Sequence, residues 1–225
     1  GLTDLHIHAP QYTFRSLGMD MELLEWLETN TFPEESKYKD TEYAGKAYGM
    51  FAEQLKKSVT VRACIFGTIH NEATLLLMDL LEEAGLYTMV GKVNMDRNSP
   101  EYLCEPSAEA SAQATREWLK AVADRKYKRT RPILTPRFTP SCTDELMERL
   151  KEIQRENNLP LQSHLSENPG EIAWVKELCP WSEFYGDAYD KFGLFGGDCP
   201  TVMAHCVYSG KEEMALMKEK GVFVA

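Results

Sequence analysis

His6-Ile7-His8 is the first stretch of the chain whose residue types and spacing can do chemistry. Read as a strand, it puts Leu5 and Ile7 on one face and His6 and His8 on the other, because side chains alternate with period two. Two imidazoles on one rigid face can reach a single ion. The alternative is a short strand whose histidines are incidental. Two further histidines, His164 and His205, end later strand-like runs, Leu159 to His164 and Thr201 to His205. Zinc favours imidazole, and a site with three protein ligands and an open position is catalytic. His164-Leu165-Ser166-Glu167 adds a carboxylate three residues beyond a candidate ligand, suited to carrying a proton to a leaving group. Glu167 alternatively serves only to cap the next helix. Arg137 and Phe138 follow the strand-like run Arg131 to Pro136; Arg donates paired hydrogen bonds to a carbonyl or carboxylate, and Phe stacks on a flat ring. Taken singly, Arg137 would pair with a surface acid. Gln11, three residues past His8, offers an amide donor and acceptor that match the N–C=O edge of a heterocycle, or is simply solvated. His70 has nothing to pair with and is assigned a supporting or structural role.

The elements that must position these residues alternate. Hydrophobic spacing predicts helices over 18–28 and 41–57, with a polar loop over 29–40 between them. A buried strand follows over 60–68, then a helix carrying Leu75 to Leu81 and ending at Gly85, then a strand over 87–95. Ser107 caps a helix to about Asp124, and Arg131 to Pro136 is a strand with its prolines at the ends, where they are tolerated. An amphipathic helix covers 143–157, and the strand ending at His164 follows. Asn168, Pro169 and Glu171 mark the next helix start. After the strand ending at His205, Ser209 and Glu212 read as a capping box and Gly221 as the stop. This order predicts parallel βα units. No Gly-rich turn follows the first strand, which counts against a dinucleotide-binding sheet. Polar residues just past the strand ends favour a (β/α)8 TIM barrel, whose enzymes build their sites there.

About six βα units and the start of a seventh strand are visible, too few to close eight. The chain begins at Gly1 without Met and ends at Gly221-Val222-Phe223-Val224-Ala225, in both cases inside strand-like sequence. Residues 1–225 are therefore expected to be part of a hydrolase-type barrel, with the flanking segments lying outside them.

A formal charge of −10 argues against a nucleic-acid surface, which is normally basic. The short basic run Lys126 to Arg131 reads as a solvated loop. No apolar run approaches the length of a membrane span. The six cysteines form no CxxC pair and have irregular spacings, which points to free thiols in a reducing, cytoplasmic compartment.

Taken together, Asp4 to Gln11, Gly67 to His70, Val90 to Asp96, Thr135 to Phe138, Gln162 to Asn168 and Val202 to Cys206 resemble the amidohydrolase superfamily. Within it they look like the guanine deaminases of the (β/α)8 type. The motifs occur in family order along nearly the whole chain. His-x-His alone indicates the superfamily; its combination with Thr-Pro-Arg-Phe and Ser-His-Leu-Ser-Glu-Asn is far more specific. The resemblance implies hydrolytic deamination of guanine to xanthine and ammonia by a metal-activated water with a glutamate proton shuttle. It implies zinc, or iron, on His6, His8 and His164, plus an aspartate after an eighth strand that has no counterpart here. Glu167 and His205 would be catalytic, and His8, Gln11, Arg137, Phe138, His164 and Glu167 would contact the purine. A homodimer is also implied. Two rivals stand beside this reading: an amidohydrolase acting on another heterocycle (pterin, triazine, cytosine or adenine-like), and a metal-free scaffold of the same fold. The deaminase type with an H-x-E and P-C-x-x-C signature is not supported, because the second part is missing.

Overall fold

Within each of three sheets the strands pair in parallel with the next strand position in sequence. A computed structural model describes residues 1–225. Strands β1 (Leu2–His8), β2 (Thr60–Phe66) and β3 (Tyr87–Gly91) form a ladder that ends on β5 (Arg131–Pro132). The third and fourth positions are each broken once. They resume as β4 (Val93–Asn94) and β6 (Thr135–Pro136), which pair with each other. A bridge from Leu134 to Leu161 carries the wall on to β7 (Leu161–Leu165), β8 (Thr201–His205) and β9 (Phe223–Val224). Seven strand positions thus follow one another without a reversal of order. A doubly wound sheet requires such a reversal; a parallel barrel wall does not.

Helices α1 (Leu23–Trp26), α2 (Phe32–Ser36), α3 (Thr41–Lys56), α4 (Asn71–Ala84), α5 (Ala108–Arg125), α6 (Asp144–Asn157), α7 (Pro169–Leu178), α8 (Asp187–Asp190) and α9 (Lys211–Lys220) connect the strands. The apolar stripe of α6, Leu146, Leu150 and Ile153, is buried with Leu161 and Leu165 of β7. Phe51 of α3 and Leu77 and Leu81 of α4 are buried with Ile65 and Val90 of the strands. Burying each such side chain contributes roughly 1.5–3 kcal/mol, so these two clusters hold the helices against the strands.

Several expected caps form. Ser107 Oγ accepts from the Ala110 N–H, Thr143 Oγ1 from Leu146, and Asn168 with Glu171 makes a reciprocal capping box. Three local expectations need correction. The helix expected over 18–28 starts only at Leu23, because Gly18 takes a left-handed φ of 67° and Glu22 caps from outside. The loop expected over 29–40 is mostly helical. A π-helical turn over Leu27–Thr31 runs into α2, since Phe32 and Tyr38 are buried and Pro33 sits in the first turn, where no N–H is needed. The Ser209–Glu212 capping box is absent. The chain leaves β8 through two left-handed residues, His205 and Cys206, and Gly210 takes the capping position.

Gly91 ends β3 where the wall turns inward. A Cβ there would lie 1.7 Å from Thr135 Oγ1 and 2.8 Å from the Ile133 carbonyl oxygen, so this crossing admits no side chain. Gly49, inside α3, would meet nothing. In the intact protein Gly91→Ala should lower stability by about 1–3 kcal/mol or more, whereas Gly49→Ala should raise it by roughly 0.4–1 kcal/mol. Urea midpoints of the two variants check this; equal shifts would contradict it.

Candidate active site

The ends of β1, β7 and β8 bring four imidazoles together. His6 lies edge-on to His8, His164 and His205, with ring centroids 4.9 Å away in each case. Phe66, at the end of β2, stacks on His8 at 4.5 Å. All eight residues expected at the site, His6, His8, Gln11, Arg137, Phe138, His164, Glu167 and His205, line one cavity of about 570 Å³. That size suits a small molecule. His70 is not among them; it stands at the N-cap of α4.

The local backbone explains the convergence. The Gln162 amide donates to the Ile65 carbonyl and to Thr135 Oγ1, both at 3.0 Å, tying β7 to β2 and β6 inside the wall. Ser163 Oγ donates to the Pro136 carbonyl, 2.7 Å, and the buried Tyr189 hydroxyl donates to the His164 carbonyl, 2.8 Å. Ser166, His205 and Cys206 all have left-handed φ, 47°, 75° and 53°. Such conformations are costly for side-chain-bearing residues and cluster at functional sites. Here they turn the chain sharply at the ends of β7 and β8.

The electrostatics keep the imidazoles neutral. Burial, then His205 and Arg137, lowers the His6 pKa to about 3. His8 and His164 lie well below the ordinary histidine range, first through burial and then through the neighbouring imidazoles and Arg137. The His164 Nδ1 proton goes to the Arg137 carbonyl, 2.7 Å away, which leaves Nε2 with a bare lone pair. That Nε2 lies 2.9 Å from His8 Nε2. One ring nitrogen from each of His6, His8 and His164 falls within 4.8 Å of the others, and the buried Nδ1 atoms of His6 and His8 have no hydrogen-bond partner. Neutral, convergent, partly unpartnered imidazoles fit a divalent metal.

Glu167 stands across from them. Its Oε1 is 3.4 Å from His205 Nε2. Burial, then the nearby Glu171, raises its pKa to about 7. Glu171 is itself buried and accepts from the backbone N–H groups of Glu167 and Asn168 and from the Tyr185 hydroxyl. The turn that carries Glu167 is therefore held from beneath.

Arg137 and Phe138 follow β6. Arg137 is 2% exposed, and its Nη1 donates to the fully buried Glu35, 2.7 Å away. Phe138 belongs mainly to an apolar cluster with Val93, Met95 and Leu103 and shows the cavity only a small part of its surface. Gln11 lies in the 3-10 turn Ala9–Phe14 that follows β1. Phe14, Leu23, Trp26 and Leu27 form an apolar wall of the cavity, and Glu35 lies behind Arg137; neither is marked as part of a site by motif or spacing in the sequence. Phe14 and Trp26 pack 5.6 Å apart, and the Trp26 indole N–H donates to the Leu17 carbonyl. Helical spacing of Leu23 and Leu27 signalled a buried face, but not that this face borders a cavity.

The amidohydrolase family model matches residues 1–225, and the chain belongs to that family. It is 43% identical over 217 residues to a guanine deaminase of Dictyostelium discoideum, covering 96% of this chain and 48% of that protein. A mouse guanine deaminase is 42% identical over 227 residues, covering 100% and 49%. A solved structure of guanine deaminase from C. acetobutylicum, with guanine bound in its active site, superposes with a TM-score of 0.96 at 48% identity, covering 100% of this chain and 53% of that one. The chain spans about half the length of the curated relatives it matches.

Glu167 yields a stability prediction. Its folded pKa of about 7 lies above the ordinary 4.5, so the fold favours the neutral carboxyl. That contribution is fully present below about pH 4.5 and is lost as pH rises through 7. In the metal-free intact protein Glu167→Gln should therefore be more stable than wild type above pH 7, by roughly 1–3 kcal/mol, with no gain below pH 4.5. Urea unfolding across this range checks it; a pH-independent difference would contradict it.

Proposed function

We propose that the intact protein hydrolyses guanine to xanthine and ammonia. The observation that carries this reading is the division of one cavity into two sides. A neutral imidazole cluster lies beside the Glu167 carboxylate, 3.4 Å from His205, and a buried arginine and an amide side chain line the same cavity. The likeness to guanine deaminases along the whole chain supports the same substrate.

His6, His8 and His164 would hold one divalent ion, zinc or iron, which when bound supplies Lewis-acid activation of water. The remaining steps fall to side chains of this chain. The water oxygen bonds to C2 of the purine while a proton passes to Glu167. Glu167 gives that proton to the adjacent ring nitrogen, takes the proton remaining on the new C2 hydroxyl and passes it to the amino group; the C2 carbonyl forms as the C2–N bond breaks and ammonia leaves. Glu167, 3.4 Å from His205 and lining the same cavity as the imidazoles, is placed to accept that proton and to donate it again. His205, 3.4 Å from Glu167, orients the carboxylate and the attacking water. Arg137 donates to the ring oxygen, Gln11 reads the ring edge, and Phe138 with Phe14, Trp26 and Leu27 excludes water from the ring faces. The six free thiols support a reducing, cytoplasmic setting, and no helix is long and apolar enough to cross a membrane.

Ammonia release by the intact protein from guanine, adenine, cytosine, a pterin and an aminotriazine tests the reading. Guanine should lead, and Glu167→Gln should keep its metal while kcat falls by about 10²–10⁴-fold. A different preferred ring would overturn the substrate assignment. Near-wild-type turnover by the variant would overturn the shuttle.

A further inference from the structure

Arg137 carries a permanent charge into a site where it is almost completely buried. A buried charge needs a partner, and Glu35 is the carboxylate that meets it. Glu35 is itself fully buried, and its contact with Arg137 Nη1 is 2.7 Å, within the range of a charge-assisted bond. The contact is single. Arg137 makes no other side-chain hydrogen bond to the protein, so the guanidinium keeps most of its donors for the cavity it lines. Phe32, three residues before Glu35 on α2, places its ring 5.4 Å from the same guanidinium carbon. Positions three apart share a helix face, so one face of α2 holds Arg137 by both charge and ring.

The helix is fixed in turn. Glu34 of α2 accepts from Thr13 Oγ1 at 2.7 Å and from Lys37 Nζ at 2.6 Å, and it also meets the Tyr43 hydroxyl. Thr13 lies in the turn after β1, five residues from His8. The Tyr38 hydroxyl donates to the Pro10 carbonyl in that same turn, 3.1 Å. The clamp on Arg137 is therefore referenced to the strand that carries His6 and His8.

We infer that Glu35 is a positioning and specificity-determining residue: it aims Arg137 at the ring oxygen and cancels its charge, so that the site prefers a neutral oxopurine to an anionic one. This inference rests on the guanine reading. Its consequence is chemical. Xanthine, with two ring carbonyls, is a stronger acid than guanine and is partly anionic near neutral pH. An arginine without its carboxylate would hold that anion and retard product release. With the carboxylate in place the donor reads a carbonyl without rewarding negative charge.

The test uses the metal-replete intact protein and two ligands it does not turn over, hypoxanthine and xanthine. Their dissociation constants are measured by calorimetry in mildly alkaline buffer, where xanthine is largely anionic and hypoxanthine largely neutral. In wild type hypoxanthine should bind more tightly. In Glu35→Gln the preference should shift toward xanthine by about tenfold or more. Glu35→Asp keeps the charge on a shorter arm. It should hold the wild-type preference while weakening hypoxanthine binding and raising KM for guanine more than it lowers kcat. An unchanged preference in Glu35→Gln overturns the inference, including the case in which both affinities fall together. If Glu35→Gln does not fold or hold metal, Glu35→Asp decides: wild-type affinities for both ligands would overturn it. A wild-type protein that binds neither ligand would instead refute the guanine reading.

Discussion

Four imidazoles crowded at the ends of β1, β7 and β8 cannot be held there as imidazolium ions. Each added charge would repel the others at about 5 Å, in surroundings that hydrate it poorly. The cluster is therefore neutral, and its lone pairs have to point somewhere. The bond from His164 Nδ1 to the Arg137 carbonyl settles the direction for His164, turning Nε2 inward to meet that of His8. This constraint organises the rest of the site. It makes a cation the natural partner of the cluster, and it gives Arg137 two duties. The Arg137 backbone orients a histidine, while its side chain lines the adjoining space.

The wall behind the cluster meets that demand with buried polar side chains. Gln162 and Ser163 bind the backbone of β2 and β6, and Tyr189 of α8 donates to the His164 carbonyl, so β7 is held by hydrogen bonds as well as by apolar packing. Glu171 performs the same service for the turn that carries Glu167. None of these side chains lines the cavity. They fix the positions of the residues that do, which is what a preorganised site requires. The broken third and fourth strand positions belong to the same design: the break at Gly91 permits the close crossing that carries Arg137 and Phe138 inward.

Much of this was legible in the sequence because it depends on local pattern. Period-two alternation placed His6 and His8 on one face, and apolar runs ending in histidine marked β7 and β8. The run of βα units indicated a barrel wall, and parallel pairing in sequence order agrees with it. All eight expected site residues border one cavity. What was not legible depends on tertiary burial. The stretch 29–40 looks polar and loop-like, yet Glu35 is fully buried because Arg137, 102 positions away, needs a counter-charge. No local pattern reports such a pair. Phe14 and Trp26 likewise became cavity wall only through the path of the segment joining β1 to α2. Ser209 failed as a cap because the left-handed exit from β8, which the site imposes, moved the helix start by one residue.

Anomalous scattering from crystals of the metal-loaded intact protein, collected on both sides of the zinc and iron absorption edges, tests the central claim most directly. A single peak is expected within ligand distance of His6, His8 and His164, on the side of the cluster that faces Glu167 and His205. A peak outside the imidazole cluster, or no peak in protein that turns over its substrate, would contradict it.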